Sequence, residues 1–158
     1  MTEALNSPVY VDANPFIYFI EGDDALSASM RSLFETLKAR PGLAVTSELT
    51  LAEVLPKAAA PLRRAYMDLI IWSGTFDLRP VTREILVETA RYRRASVKIE
   101  PDGRESMVKL PDAIHVVTAI HCECRRVVSD DAQLRLPPGY ERVACDPVGI
   151  SKLLEALR

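Results

Sequence analysis

The sequence predicts an α/β domain built on a short parallel sheet, and three observations lead there. Short apolar runs rich in β-branched residues alternate with segments of helical period. That alternation places parallel strands beneath helices on both faces. No internal repeat, low-complexity tract or linker divides the 158 residues, so one domain spanning residues 1–158 is expected.

Val9-Tyr10-Val11 reads as the first strand, ending in Asp12. Asn14-Pro15 marks a turn, and a helical segment begins with Phe16 to Ile20. Gly22-Asp23-Asp24 interrupts it, and Ala25 to Arg40 resumes with Leu26, Met30, Leu33, Phe34 and Leu37 on one stripe. Pro41-Gly42 stops that helix before a second strand, Leu43 to Thr46. Ser47 or Thr50 caps a short helix ending near Pro56, and another helix runs from Pro61 to about Trp72. Phe76-Asp77-Leu78 is a third strand and Thr82 to Val97 a helix. Lys98 to Lys109 is a polar loop containing Pro101-Asp102-Gly103. Pro111 opens a helix to Cys124, Arg126 to Ser129 forms a fourth strand, Glu141 to Ala144 a weak fifth, and Val148 to Leu157 a closing helix.

Composition narrows the function classes. No apolar stretch approaches the ~20 residues that span a bilayer, and the N-terminal residues do not resemble a secretory signal, so a cytoplasmic protein with no membrane partner is expected. Cys122, Cys124 and Cys145 are an odd set, which argues against a disulfide framework. His121, Cys122 and Cys124 lack the paired spacing of structural zinc and fit the end of an apolar helix better. Net charge is −2, unevenly spread: residues 1–56 carry three basic and eight acidic side chains, residues 57–109 eleven basic and seven acidic. Arg63, Arg64, Arg79, Arg83, Arg91, Arg93, Arg94 and Lys98 therefore offer either a positive rim for a phosphate backbone or an ordinary solvated helix surface.

Two strands end in carboxylates, Asp12 and the pair Asp130-Asp131. In an open parallel sheet the carboxyl ends share one edge, where ligands bind. Asp112 lies in the first turn of the helix before the fourth strand. That helix runs antiparallel to the sheet and is expected to start near the opposite end, so tilt or an irregular connection is needed to bring Asp112 to the acidic edge. Glu53 lies within a helix and spacing does not place it. Four converging carboxylates would raise one another's pKa unless a cation neutralised them. Oxygen ligation favours Mg²⁺ or Mn²⁺ over zinc, and the implied chemistry is metal-assisted hydrolysis of a phosphate ester. Each acid also has an ordinary account: Asp12 as a helix cap, Thr50 to Glu53 as a capping box, Asp112 as a complement to the helix dipole, Ser129-Asp130-Asp131 as turn residues.

These residues resemble the motifs of the PIN-domain nucleases, and within them the VapC-like toxins. The resemblance rests on Val9-Tyr10-Val11-Asp12-Ala13-Asn14, on Thr46-Ser47 followed by Glu53, on Leu110-Pro111-Asp112-Ala113-Ile114-His115 and on Val127-Val128-Ser129-Asp130-Asp131. It covers roughly residues 8 to 145 and implies a three-layer α/β/α fold. It also implies that Asp12, Asp112 and Asp131 hold Mg²⁺, or Mn²⁺, with Asp130 the fallback if the register slips by one. By the same resemblance Glu53 would complete the site or orient the attacking water, and Asn14, Ser47 and Ser129 would support the ligands. The resemblance further implies an RNA substrate, a small antitoxin partner and a homodimer. In this sequence the stretch Lys98 to Lys109 is longer than the usual link into the Asp112 helix, and a hairpin or flap beside the site would account for it.

Rival readings differ in testable ways. A catalytically idle PIN-like module would bind RNA or protein without cutting, yet all four acids are present. Phosphatases of the haloacid dehalogenase type want a second Asp where Asn14 stands. A nucleotide-binding dehydrogenase is excluded because no G-x-G-x-x-G follows a strand. Trp72 and the tyrosines are read as core, and His115 as structural.

Overall fold

The computed structural model describes residues 7–158. Strand β1 (Val9–Val11) leads into helices α1 (Ala13–Glu21) and α2 (Asp24–Lys38), then β2 (Ala44–Ser47) and α3 (Leu49–Val54). Helix α4 (Ala60–Met67) widens into a π turn over Asp68–Trp72 before β3 (Phe76–Arg79) and α5 (Arg83–Ala95). A small hairpin, β4 (Lys98–Ile99) and β5 (Glu105–Ser106), precedes α6 (Leu110–His121), β6 (Arg126–Val128), β7 (Glu141–Val143) and α7 (Pro147–Ala156).

Strands β3, β2, β1, β6 and β7 lie side by side in that order, all parallel. The predicted strands are thus all present. Val9 is central, paired with Ala44 on one side and Arg126 on the other. The chain builds outward from β1 through β2 to β3, then crosses back to add β6 and β7 on the other flank. The reversal leaves a crevice between the carboxyl ends of β1 and β6, where such sheets bind ligands.

Period-two alternation separates the two faces. Val9, Val11, Ala44, Val128 and Val143 face α1, α2, α4 and α7, whose Phe16, Met30, Leu33, Leu37, Tyr66 and Ile150 fill the larger core. Phe16, Phe34 and Phe76 pack there with ring centroids 4.8–5.4 Å apart. Tyr10, Val45 and Val127 point the other way, toward Ala119 and Cys124, and beside them Ile85 of α5 packs on Ile114 and Val117 of α6. The result is three layers, helix, sheet and helix.

Local signals explain the helix starts. Asp23, Thr82 and Asp146 each accept a hydrogen bond from a backbone N–H in the first turn of α2, α5 and α7, a contact worth ~1 kcal/mol. Asn14 and Pro15, expected in a turn, lie inside the first turn of α1, where proline's missing N–H is harmless. The stretch read as a polar loop is in part the β4–β5 hairpin, turning through Pro101-Asp102-Gly103 with Gly103 at φ +82°. Helix α6 corrects the expectation about Asp112. In a parallel sheet, the connecting helix descends from the edge where strands end, so its N-terminus belongs at the carboxyl edge without any tilt.

Candidate active site

Asp12 stands one residue past β1, its N–H donating to Val128 O at 3.1 Å and so continuing the ladder toward β6. Its side chain is largely buried and held from two sides. Oδ1 accepts from Ala13 N at 2.6 Å, which makes Asp12 the cap of α1, and Oδ2 accepts from Ser129 Oγ at 2.9 Å. The capping role and the site role are therefore the same placement.

Glu53 does not close a capping box. Thr50 instead turns its hydroxyl to Thr46 Oγ1, 3.0 Å away, while Thr46 donates to Val11 O at 2.7 Å. Glu53 is free to reach across to α6, where its Oε2 lies 2.6 Å from His115 Nε2. The same nitrogen is 3.3 Å from Asp12 Oδ1. On the far side of the ring, Nδ1 is 2.6 Å from the hydroxyl of buried Tyr10. Ligating atoms of Asp12, Glu53 and His115 all lie within 4.8 Å of one another, a group that could hold a metal ion.

Asp112 occupies the first turn of α6, three residues before His115, so the two share a helix face. Burial and then the charges of Asp12 and Asp131 push its carboxyl pKa above the ordinary value, Glu53 adding to the rise and His115 opposing it. Asp131 follows β6. Ser129 Oγ accepts from Asp131 N at 3.2 Å, and Asp131 Oδ1 accepts from Gln133 N at 2.9 Å, so turn chemistry holds it. Asp130 points elsewhere, accepting from Tyr18 Oη at 2.5 Å. Asp112 and Asp131 line a cleft of about 380 Å³, whose other walls include Tyr92 of α5, Lys98 and Glu100 of the hairpin, and Arg135.

Among the expected supports, Ser129 bonds Asp12 directly, whereas Ser47 accepts from Leu49 N at 3.1 Å and fixes the start of α3. Among the described residues, Asn14 has no side-chain hydrogen bond. Four of the eight cations in the expected rim have partners. Arg64 pairs with Asp68, Arg79 with Asp77 and Arg91 with Glu88, and Arg93 Nε donates to Val108 O at 2.9 Å. The cations that face the cleft are Lys98, Lys109 and Arg135. Trp72, expected in the core, is 62% exposed. Cys122, Cys124 and Cys145 are free thiols, and Cys124 and Cys145 are buried.

The residue that sequence reasoning undervalues is His115. Burial alone would lower its pKa, but the hydrogen bond with Glu53 and the charges of Asp12, Glu53 and Asp112 raise it overall. Its three-residue spacing from Asp112 is the signal the sequence offers.

The family profile of the PIN domain matches residues 9–138, a span that includes all four acids and His115. The chain belongs to the PIN domain family. Solved structures share this PIN fold at low identity. The toxin VapC20 of Mycobacterium tuberculosis, described as cleaving the sarcin–ricin loop, aligns with a TM-score of 0.60 at 15% identity, over 80% of this chain and 92% of that one. A toxin–antitoxin complex from Klebsiella pneumoniae aligns at 0.58 and 22% identity, over 88% and 98%. VapBC2 from Rickettsia felis, bound to a DNA fragment from its promoter, aligns at 0.61 and 16% identity, over 86% and 97%. No curated protein sequence matches this PIN domain.

Proposed function

We propose that this PIN domain is a divalent-metal-dependent endoribonuclease, the toxin of a toxin–antitoxin pair. The observation that carries the reading is the gathering of Asp12 and Glu53, with His115, within 4.8 Å of one another at the sheet's carboxyl edge, beside Asp112, whose affinity for a proton is raised by burial and then by Asp12 and Asp131. Acids crowded in that way lack a positive charge. The donors fit a hard divalent ion because Asp12, Asp112 and Asp131 offer oxygen. A bound Mg²⁺ or Mn²⁺ supplies Lewis acidity and an activated water for phosphodiester hydrolysis.

The chain's own residues supply the rest. Asp12, Asp112 and Asp131 would hold the ion, directly or through water, with Ser129 fixing Asp12. Glu53 completes the site or orients the attacking water. Lys98, Lys109 and Arg135 on the cleft walls receive the RNA backbone, whose phosphates seek fixed positive charge. Two structural neighbours are toxin–antitoxin assemblies, which supports a small antitoxin partner that silences the enzyme. The reading takes the chain as a single domain over residues 1–158, acting as a homodimer in the cytoplasm.

The test is cleavage of a mixed RNA pool with Mg²⁺ or Mn²⁺ present. Cleavage that stops on chelation and is lost in Asp12→Asn supports the reading. A protein that binds RNA but leaves it intact with either ion is an idle module instead.

A further inference from the structure

Two roles are open to a histidine wedged among acids. It can lend a ring nitrogen to a cation, or it can donate a proton to the carboxylates. The position of Ser129 and Asp12 does not choose between them, but Tyr10 does. Its ring is fully buried, and its hydroxyl has a single partner among the described residues, His115 Nδ1 at 2.6 Å. Burial, and then the charge of Asp12, push the Tyr10 pKa well above the ordinary value, so it stays a phenol. A buried O–H must be donated to something. With Nδ1 as acceptor, a neutral His115 carries its proton on Nε2. That nitrogen faces Glu53 Oε2 at 2.6 Å and Asp12 Oδ1 at 3.3 Å. A doubly protonated ring would present the same Nε2–H. That form would leave the Tyr10 O–H without an acceptor, so the geometry selects the neutral ring, whose nitrogen nearest the acids holds a hydrogen and has no lone pair for a metal.

We propose that His115 is a positioning residue, not a ligand: Tyr10 fixes its tautomer, and its Nε2–H clamps Glu53 against Asp12 across α6, α3 and β1. The purpose of the clamp rests on the nuclease reading. It holds two carboxylates from distant parts of the chain at a set separation before an ion arrives. The tautomer itself rests on geometry alone.

The direct test is long-range ¹H–¹⁵N NMR of the imidazole in the full-length protein, first without metal and then with saturating Mg²⁺. The clamp predicts a protonated Nε2 and an unprotonated Nδ1 in the metal-free protein, with the Nε2 proton kept when Mg²⁺ is added. A ring protonated on Nδ1, alone or together with Nε2, or loss of the Nε2 proton on adding Mg²⁺, overturns it. Calorimetric titration with Mg²⁺ gives a second reading. His115→Gln keeps an N–H donor near the Nε2 position and should bind within about twofold of wild type, while His115→Leu should bind about tenfold more weakly, the usual effect of losing a partner of a ligand. Equal losses in both variants count against the clamp. If the leucine variant does not fold, the wild-type spectra decide. RNA cleavage assayed alongside separates the two ideas: the expected spectra without cleavage leave the clamp standing and sink the nuclease reading, and cleavage with an unprotonated Nε2 does the reverse.

Discussion

Asp12 and Asp112 sit at the same sheet edge yet are treated differently by the protein around them. Asp12 is surrounded by donors, from Ala13 N, Ser129 Oγ and the imidazole of His115. Asp112 has no side-chain hydrogen bond among the described residues, opens onto a cleft, and feels the charges of the other acids. One carboxylate is built into the fold. The other is held back from ionising, first by burial and then by the neighbouring acids, a cost that a proton or a cation would relieve. Placement on a common edge therefore says little about what a given acid contributes, and the donors around each acid say more.

Neutralising the two acids separately is the sharpest way to break this contrast. Both Asp12→Asn and Asp112→Asn should take Mg²⁺-dependent RNA cleavage below detection, but their metal-free stabilities should diverge. Asp12→Asn keeps one acceptor oxygen and turns the other into an N–H2 group, so one of the two buried donors, Ala13 N or Ser129 Oγ, loses its partner, and urea titration should show a loss of about 1–3 kcal/mol. Asp112→Asn removes repulsion and breaks no hydrogen bond, so its unfolding midpoint should match or exceed wild type. Equal losses in the two variants would mean that the protein supports both acids alike.

A smaller effect separates the cations that face the cleft from those that do not. Lys98, Lys109 and Arg135 line the cleft, whereas Arg64 and Arg91 are exposed and paired with Asp68 and Glu88. Replacing the three cleft cations with alanine should weaken RNA binding and flatten its salt dependence. The log–log slope should drop by about 0.7 for each phosphate of a single strand that the protein no longer neutralises. Arg64→Ala and Arg91→Ala should leave the slope unchanged. Fluorescence anisotropy across a salt series reads both outcomes.

Much of the sheet is legible in the sequence because its strands are apolar, β-branched runs such as Val9-Tyr10-Val11 and Val127-Val128, and burial on both faces demands that composition. The acids at strand ends are legible for the same reason, since the end of the run fixes their position. Glu53 is different. Its local pattern reads equally well as a capping box, and only tertiary contact, Thr50 to Thr46 and Glu53 to His115, removes that alternative. For Asp112 the signal is present, and the expectation fails only on the direction in which the connecting helix descends. For Lys98 to Lys109 the sequence suggests a hairpin or flap only through the length of the stretch, because Lys98-Ile99 and Glu105-Ser106 are largely exposed and mostly polar, with no buried face to impose a period. The arginines stay open between a phosphate-binding rim and a solvated surface because a count of charges does not reveal which of them already have partners.

The inner side of the acidic edge makes one more demand, and it falls on the weak acids packed behind it. Burial, and then the charges of Asp130 and Asp12, push the Cys145 thiol up to about 12, and burial likewise raises Cys124, Tyr10 and Tyr66 well above their ordinary values. A group whose folded pKa exceeds its unfolded value contributes stability that is complete below the unfolded pKa and lost as pH climbs through the folded one. For Cys145 that window runs from the ordinary thiol value of 9.0 to about 12. The tyrosines titrate in the same sense, and so does His115 from a lower starting point, its pKa being raised above 6.5, so stability should begin to decline as pH climbs above about 6.5 and fall more steeply above about 9–10, where free thiols and phenols begin to ionise. Thermal melts from pH 7 to 11 measure the fall. At pH 8 a thiol reagent should find Cys122 first, because it is the least buried of the three, and should reach Cys124 and Cys145 only as the protein unfolds. Rapid labelling of Cys145 in the folded protein would show that the layer beneath Asp12 is open to water, and with it the contrast between a held acid and an exposed one would lose its physical basis.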